Sequence, residues 1–339
     1  MEYASTLASN SASENLSQIQ KLEEKTMKRL AILALTACTA LTMSAQTPEM
    51  WQNLKGDVSL FMGNDLGRNG YYDQKPIAEV MGEMADVIDP ECVIAAGDVH
   101  HFYGIQSVSD PLWTTNFELV YSHPSLMIPW KPILGNHEYR GNTQAVLDYA
   151  GVSRRWMMPA RYYTEVYEDD GTSIRVVYVD TTPLIERYRN NPAKYHDAGE
   201  QDIEAQLQWL DATLSAATEE WVIVVGHHPI YAYTDKNESE RTDMQQRLGT
   251  IIRRHGNVDV YACGHVHNFQ HIRRDNDGID YVVNSAASLA RQVDRTEGTV
   301  FCSSEPGFSV ISADRTKLVW NMVDKTGTVI YSFTRLAGQ

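Results

Sequence analysis

VIAAGDVHHFYGI, residues 93–105, runs from an apolar, β-prone stretch through a glycine straight into Asp98, His100 and His101. Such a run reads as a buried strand, and Gly97 permits a sharp departure at its end. The groups delivered there, a carboxylate and imidazoles, are of the kind that ligate metals. The same arrangement recurs four more times: VSLFMG before Asn64-Asp65, KPILG before Asn136-His137, WVIVVG before His227-His228, and VDVYACG before His265. In α/β sheets, ligands bind beyond the carboxyl ends of strands. Five strand ends therefore carry Asp65, Asp98, Asn136, His227 and the pair His265 and His267 to one edge.

Between these strands, apolar spacing predicts helices over Lys75–Val87, Ile203–Ala216 and Thr242–Arg254. After residue 278 the pattern turns to short alternating strands, GIDYVVNSA, PGFSVISA, KLVWNMV and TVIYSFT, read as antiparallel strands completing a second sheet. No internal repeat or low-complexity linker interrupts the chain, so residues 46–339 are expected to form a single domain.

With 43% apolar and 22% charged residues, the 339-residue chain can bury a sizeable core. A formal net charge of −15 argues against nucleic acid as a partner, because phosphate-backbone binders carry a basic footprint. Residues 27–45, MKRLAILALTACTALTMSA, combine a basic pair, an apolar stretch too short to span a bilayer and a small-residue end. They read as a signal peptide cleaved near Ala45, which places the mature protein in a periplasm or outside the cell. Lipid attachment at Cys38, after Leu35-Thr36-Ala37, is the weaker alternative. Residues 1–26 read as an upstream extension ahead of a start at Met27. Cys92, Cys263 and Cys302 remain; being odd in number and lacking a C-x-x-C, they read as buried small side chains and not as a disulfide framework.

Two ions about 3.5 to 4 Å apart need a bridging oxygen ligand plus imidazole, carboxylate and carbonyl groups, and Asp98 is the candidate bridge. The strand-end set contributes only two carboxylates, so two metals would leave a positive pocket suited to phosphate. The motifs Asp65-Leu66-Gly67, Gly97-Asp98, Gly135-Asn136-His137-Glu138, Gly226-His227 and Gly264-His265-Val266-His267, in this order, resemble those of the calcineurin-like metallophosphoesterases. Gly67 makes the resemblance strongest to the small purple acid phosphatases of the tartrate-resistant type, over roughly residues 56 to 335. The resemblance implies a four-layer α/β/β/α sandwich of two mixed sheets flanked by helices. It implies one metal on Asp65, Asp98, the residue three after Asp98, and His267, and a second on Asp98, Asn136, His227 and His265. It also gives His137 contact with phosphate and protonation of the leaving group. The implied activity is phosphate monoester hydrolysis by in-line attack of metal-bound hydroxide on phosphorus. A phosphodiester or nucleotide-type substrate is the alternative, and a silent phosphate-binding relative a third reading. The partner is a small phosphorylated molecule; the oligomeric state is left open.

The chain departs from that family in two places. Where the purple enzymes have an iron-binding tyrosine, three residues after the bridging aspartate, this sequence has His101; Tyr103 falls at a non-ligand place. Imidazole for phenolate weakens the preference for Fe(III), so Fe(II), Zn, Mn or similar divalent ions are expected and an Fe(III)–tyrosinate is not. Where the small enzymes carry a further histidine, nine residues after His227, stands Lys236, so His228 or Lys236 contacts substrate, or His137 works alone. His100 is a further candidate for the pocket lining. Glu138 is expected to orient its neighbours; residues 183–201 stand where the resemblance places a loop over the site, with a solvated connection as the equal alternative; and His123, His196, His255 and His271 are expected to be surface or structural groups.

Overall fold

The computed structural model describes residues 48–275 and 277–338. The expected upstream extension, the signal peptide and Cys38 lie outside them. VSLFMG forms strand β1 (Val58–Gly63), buried along its whole length, as continuous apolar runs are when a strand is covered on both faces. It pairs in parallel with β2 (Cys92–Ala95), and β2 with β3 (Trp130–Pro132). Helix α1 (Gln74–Ile88) makes the crossover from β1 to β2 and turns Ile77, Met81, Met84, Ala85 and Ile88 inward.

The second half begins with the hairpin β4 (Tyr163–Asp169) and β5 (Thr172–Tyr178), which the sequence pattern did not single out as a pair. From β5 the chain crosses through α2 (Ile203–Ala216) to β6 (Trp221–Val225), which runs parallel to β5. It then crosses through α3 (Glu238–Gln246) and α4 (Leu248–His255) to β7 (Val260–Cys263), parallel to β6. The helix expected over Thr242–Arg254 is thus two helices. They part at Arg247, whose guanidinium reaches the Leu184 carbonyl and Glu186.

The closing strands differ from expectation. β8 (Phe269–Arg273), β9 (Asp280–Val283) and β10 (Thr299–Ser303) stay in the second sheet, β9 lying parallel to β7 and antiparallel to β8. β11 (Gly307–Ala313), β12 (Lys317–Asp324) and β13 (Val329–Leu336) return instead to the first sheet, where β11 runs antiparallel to β1 with Leu60 opposite Ile311. The result is a six-stranded sheet, β13-β12-β11-β1-β2-β3, and a seven-stranded one, β10-β8-β9-β7-β6-β5-β4. Both are mixed and share one apolar core. A parallel bridge between Asn64 and Ala286 joins them at the carboxyl ends of β1 and β9, directly beneath the site. Among the described residues no helix is long and apolar enough to cross a membrane.

Candidate metal centre

All five strand ends open on the same edge. At β2 the turn depends on Gly97, whose φ of +85° and whose distance of 2.5 Å from a would-be Cβ to His227 Nδ1 admit no side chain. At Gly67 a Cβ would stand 1.8 Å from the Val99 carbonyl, so no larger residue fits this backbone. Asp65, Asp98, His265 and His267 all take left-handed backbone angles, φ between 50° and 72°. Such angles persist in non-glycine residues where the surroundings impose them, which is commonest at functional sites.

Asp98 lies at the centre. Its Oδ1 accepts the His137 N–H at 2.8 Å, while Oδ2 faces His227 Nε2 at 3.2 Å, His101 Nε2 at 3.6 Å and His137 Nε2 at 3.8 Å. Asp65 accepts Asn64 Nδ2 and the His265 N–H on Oδ2, and turns Oδ1 to His267 Nε2 at 3.0 Å and His101 Nε2 at 3.9 Å. Candidate donor atoms in the sets Asp65, His101, His267 and Asp65, Asp98, His227 lie within 4.8 Å of one another, as do those of His227, His228 and His265.

The outer contacts fix which nitrogen each ring offers. His227 Nδ1 donates to the Ala96 carbonyl at 2.9 Å and His267 Nδ1 to the Leu289 carbonyl at 2.7 Å, so each leaves an Nε2 lone pair facing inward. His265 is held the other way round, Nε2 against Glu240 Oε2 at 3.0 Å, while its Nδ1 faces the Lys236 ammonium at 3.2 Å. His137 donates from Nδ1 to the Phe102 carbonyl at 2.8 Å and keeps Nε2 for the cleft. Glu138 binds backbone: its carboxylate accepts the N–H groups of Asp98, His100 and Gly135 at 2.9, 3.1 and 2.8 Å and so ties two strand ends together.

Several buried polar atoms make no well-directed hydrogen bond among the described residues: Asp65 Oδ1, Asn136 Oδ1, His227 Nε2, His228 Nε2 and both ring nitrogens of His101. An unpaired buried polar atom costs about 1–3 kcal/mol, so a cluster of them on one small volume fits metal coordination. The electrostatics agree. Burial alone would raise the Asp98 carboxyl, but the imidazoles of His227, His137 and His101 outweigh it and hold it well below the carboxylate range. Burial would lower His227, yet Asp98 and Asp65 push it up to about 9. Positive charge is thus favoured where metal would supply it. His137 is pushed down to about 4, chiefly by burial.

The remaining sequence candidates separate. Tyr103 is 76% exposed and stands away from the centre. His100 does not reach the cleft: its ring lies edge-on to Trp113, its Nδ1 meets Asn116, and it is fully buried. His228 is also fully buried, with Nδ1 against Thr181 Oγ1, behind His265. Lys236 does line the cleft, its Nζ 2.7 Å from the His265 carbonyl and 3.1 to 3.2 Å from both ring nitrogens. His123, His196, His255 and His271 each take partners outside the site.

Residues 183–201 contribute short helical turns, and Arg187, Tyr188, Lys194 and Tyr195 form one wall of a cleft of about 370 Å³ above Asn136, His137 and His265. Glu240, Arg140 and Arg291 line the same cleft and were not anticipated. Glu240 lies in the polar run ESERTDMQQ, where only its burial distinguishes it from its neighbours. On the opposite side, His101 borders an open recess of about 440 Å³ with Arg68, Tyr71, Tyr72 and Phe102.

Residues 63–269 match the family described as calcineurin-like phosphoesterase. The chain is 31% identical over 243 residues to purple acid phosphatase 3 of Arabidopsis thaliana, covering 69% of this chain and 64% of that protein. It is 27% identical to purple acid phosphatase 4 of Arabidopsis thaliana, covering 90% and 91%. It is 30% identical to tartrate-resistant acid phosphatase type 5 of Oryctolagus cuniculus, covering 62% and 66%. Among solved structures, GAP50, the anchor in the inner membrane complex of Plasmodium, superposes with a TM-score of 0.71 at 21% identity, covering 83% of this chain and 89% of that one. A dimetal phosphatase from Danio rerio gives 0.55 at 12% identity, covering 84% and 100%. These two likenesses concern the fold.

Proposed function

This chain belongs to the calcineurin-like phosphoesterases, and from that premise we propose that it is an exported phosphatase that hydrolyses phosphate monoesters at a two-metal centre. The observation that carries the reading is the cluster of unpartnered, buried donor atoms on Asp65, Asn136, His101 and His227 around Asp98. One ion would lie on Asp65, Asp98, His101 and His267, the other on Asp98, Asn136, His227 and His265. Bound there, the ions would supply a nucleophile from water near neutral pH and stabilise charge on the phosphoryl oxygens.

The protein's own groups do the rest. Asp98 presents Oδ2 to both positions while the His137 N–H pins Oδ1. Glu138 holds the backbone of Asp98 and Gly135 so that the bridge and Asn136 keep their spacing. His137, oriented by the Phe102 carbonyl, faces the cleft through Nε2 and is placed to hand a proton to the departing alkoxide. Lys236 adds a cation at the second metal position, where the small acid phosphatases have histidine. Export rests on the signal-like residues 27–45.

A phosphodiester reading has one observation in its favour, the recess beside His101 walled by Tyr71, Tyr72 and Phe102, which gives room for a second alcohol. Turnover of an aryl phosphate and of a bis-aryl phosphodiester, each with Fe, Zn, Mn, Ni or Co, decides between them. The monoester reading expects the aryl phosphate to be favoured by at least about tenfold in kcat/KM. Preference for the diester reverses the assignment. Turnover of neither, with Asn136→Ala leaving metal affinity unchanged, removes the enzyme reading altogether.

A further inference from the structure

The cleft above the metal ligands carries more positive charge than one phosphoryl group uses. Arg140, Arg187, Lys194, Lys236 and Arg291 line it against a single carboxylate, Glu240. That carboxylate is already engaged by Arg187 at 2.6 Å, the Tyr188 hydroxyl at 3.0 Å and His265 Nε2 at 3.0 Å. Among the described residues, Arg140, Lys194, Lys236 and Arg291 form no ion pair with any acidic side chain, in a chain whose net charge is −15. Acidic partners were abundant, and these four cations have none.

Their placement is also specific. The Arg140 guanidinium stands 5.6 Å and the Lys194 ammonium 5.4 Å from the centre of the same ring, Tyr195. Arg140 is tethered besides to the Phe102 carbonyl at 3.3 Å, the carbonyl that orients His137. Two like charges held on one ring repel each other, and an anion bound beside them would offset that repulsion. Arg291 lines the same cleft from a separate segment, its own N–H bonded to the carbonyl of His267 at 2.7 Å.

We infer that Arg140, Lys194 and Arg291 form a second anion subsite, so that the substrate is a small phosphate ester carrying a further phosphate group. One phosphate would sit over Asn136 and His137, and the second between Lys194 and Arg291. The inference rests on the phosphoesterase reading of the same cleft. Field focusing in a cleft lined by one sign of charge also raises capture of such a polyanion from dilute solution.

The test is binding of two ligands that are not hydrolysed, propane-1,3-diylbisphosphonate and propylphosphonate, to the metal-loaded protein by calorimetry. Wild type should hold the bisphosphonate about 30-fold more tightly, well beyond the factor of about two that a symmetric ligand gains, as two charge-assisted contacts allow. The double variant Lys194→Ala/Arg291→Ala, both exposed side chains, should bring the ratio below about threefold with metal content per chain unchanged. Raising ionic strength should shrink the wild-type ratio and leave the variant's nearly flat. A wild-type ratio near two, or a ratio that survives the double substitution, overturns the subsite. Aryl phosphate turnover is followed in parallel. Absence of turnover with the ratio intact retires the hydrolase and keeps the subsite, while turnover with a ratio near two does the reverse.

Discussion

Glu138 offers the sharpest test of how the site is held. Its side chain is 1% exposed and accepts three backbone N–H groups, those of Asp98, His100 and Gly135. Glu138→Ala leaves all three buried donors without acceptors. At about 1–3 kcal/mol for each, the loss is roughly 3–9 kcal/mol, a large share of the 5–15 kcal/mol that typically separates folded from unfolded chains. Glu138→Gln keeps one oxygen, enough for the donors of Asp98 and Gly135, and sets an NH2 against the His100 N–H; its cost is about 1–2 kcal/mol. Urea denaturation of chelator-treated protein, followed by far-ultraviolet circular dichroism, measures both. Because Asp98 and Asn136 depend on this tether, zinc affinity by competition should also fall about 10- to 100-fold in the Ala variant. An Ala variant within about 1 kcal/mol of wild type, with unchanged zinc affinity, would refute the reasoning.

Three further outcomes are expected. Iron-loaded wild type should lack an intense visible band, whereas His101→Tyr, which puts a phenol at the buried position beside Asp65 and Asp98, should gain a phenolate-to-iron band; an intense band in wild type sinks the placement of His101. Burial would raise the Asp280 carboxyl, but hydrogen bonds from His271, Arg273 and Arg335 hold it far below the carboxylate range. Its stabilising contribution is therefore complete above about pH 4, the unfolded value, and drains away as pH falls toward the folded one. Asp280→Asn should cost about 3 kcal/mol at pH 7 in urea titrations and show a shallower loss in acid; parallel curves would contradict this. Burial pushes the Cys92 thiol up to about 12 and raises Cys263 as well, so iodoacetamide should label Cys302 first in native protein and the other two only on unfolding. Rapid native labelling of Cys92 would count against the described core.

The strand ends were legible because their signal is local. An apolar run, a glycine and a ligand-type side chain sit within eight residues, and the parallel topology needs only the helices between them. The sheet to which the last strands belong was not legible. The alternation in PGFSVISA and KLVWNMV specifies a strand but not a partner, and β11 finds β1 across some 250 residues, with Val58 opposite Ala313. His101 is singled out in the sequence by its spacing from Asp98, and its Nε2 lies 3.9 Å from Asp65 and 3.6 Å from Asp98. His100 and His228, both next to ligand positions in sequence, are fully buried, the one edge-on to Trp113 and the other with Nδ1 on Thr181 and its ring beside His265, and a sequence shows neither orientation. The cationic wall was invisible for the opposite reason: Arg140, Lys194, Lys236 and Arg291 come from four segments with nothing in common except the cleft they share.

The central claim is a two-metal centre bridged by Asp98. Elemental analysis of protein purified from its own host without chelators addresses it directly. The account predicts two transition-metal ions per chain, falling to one or fewer in Asp98→Ala with the fold retained by circular dichroism. One ion or none in the wild type, or two in the variant, would contradict it.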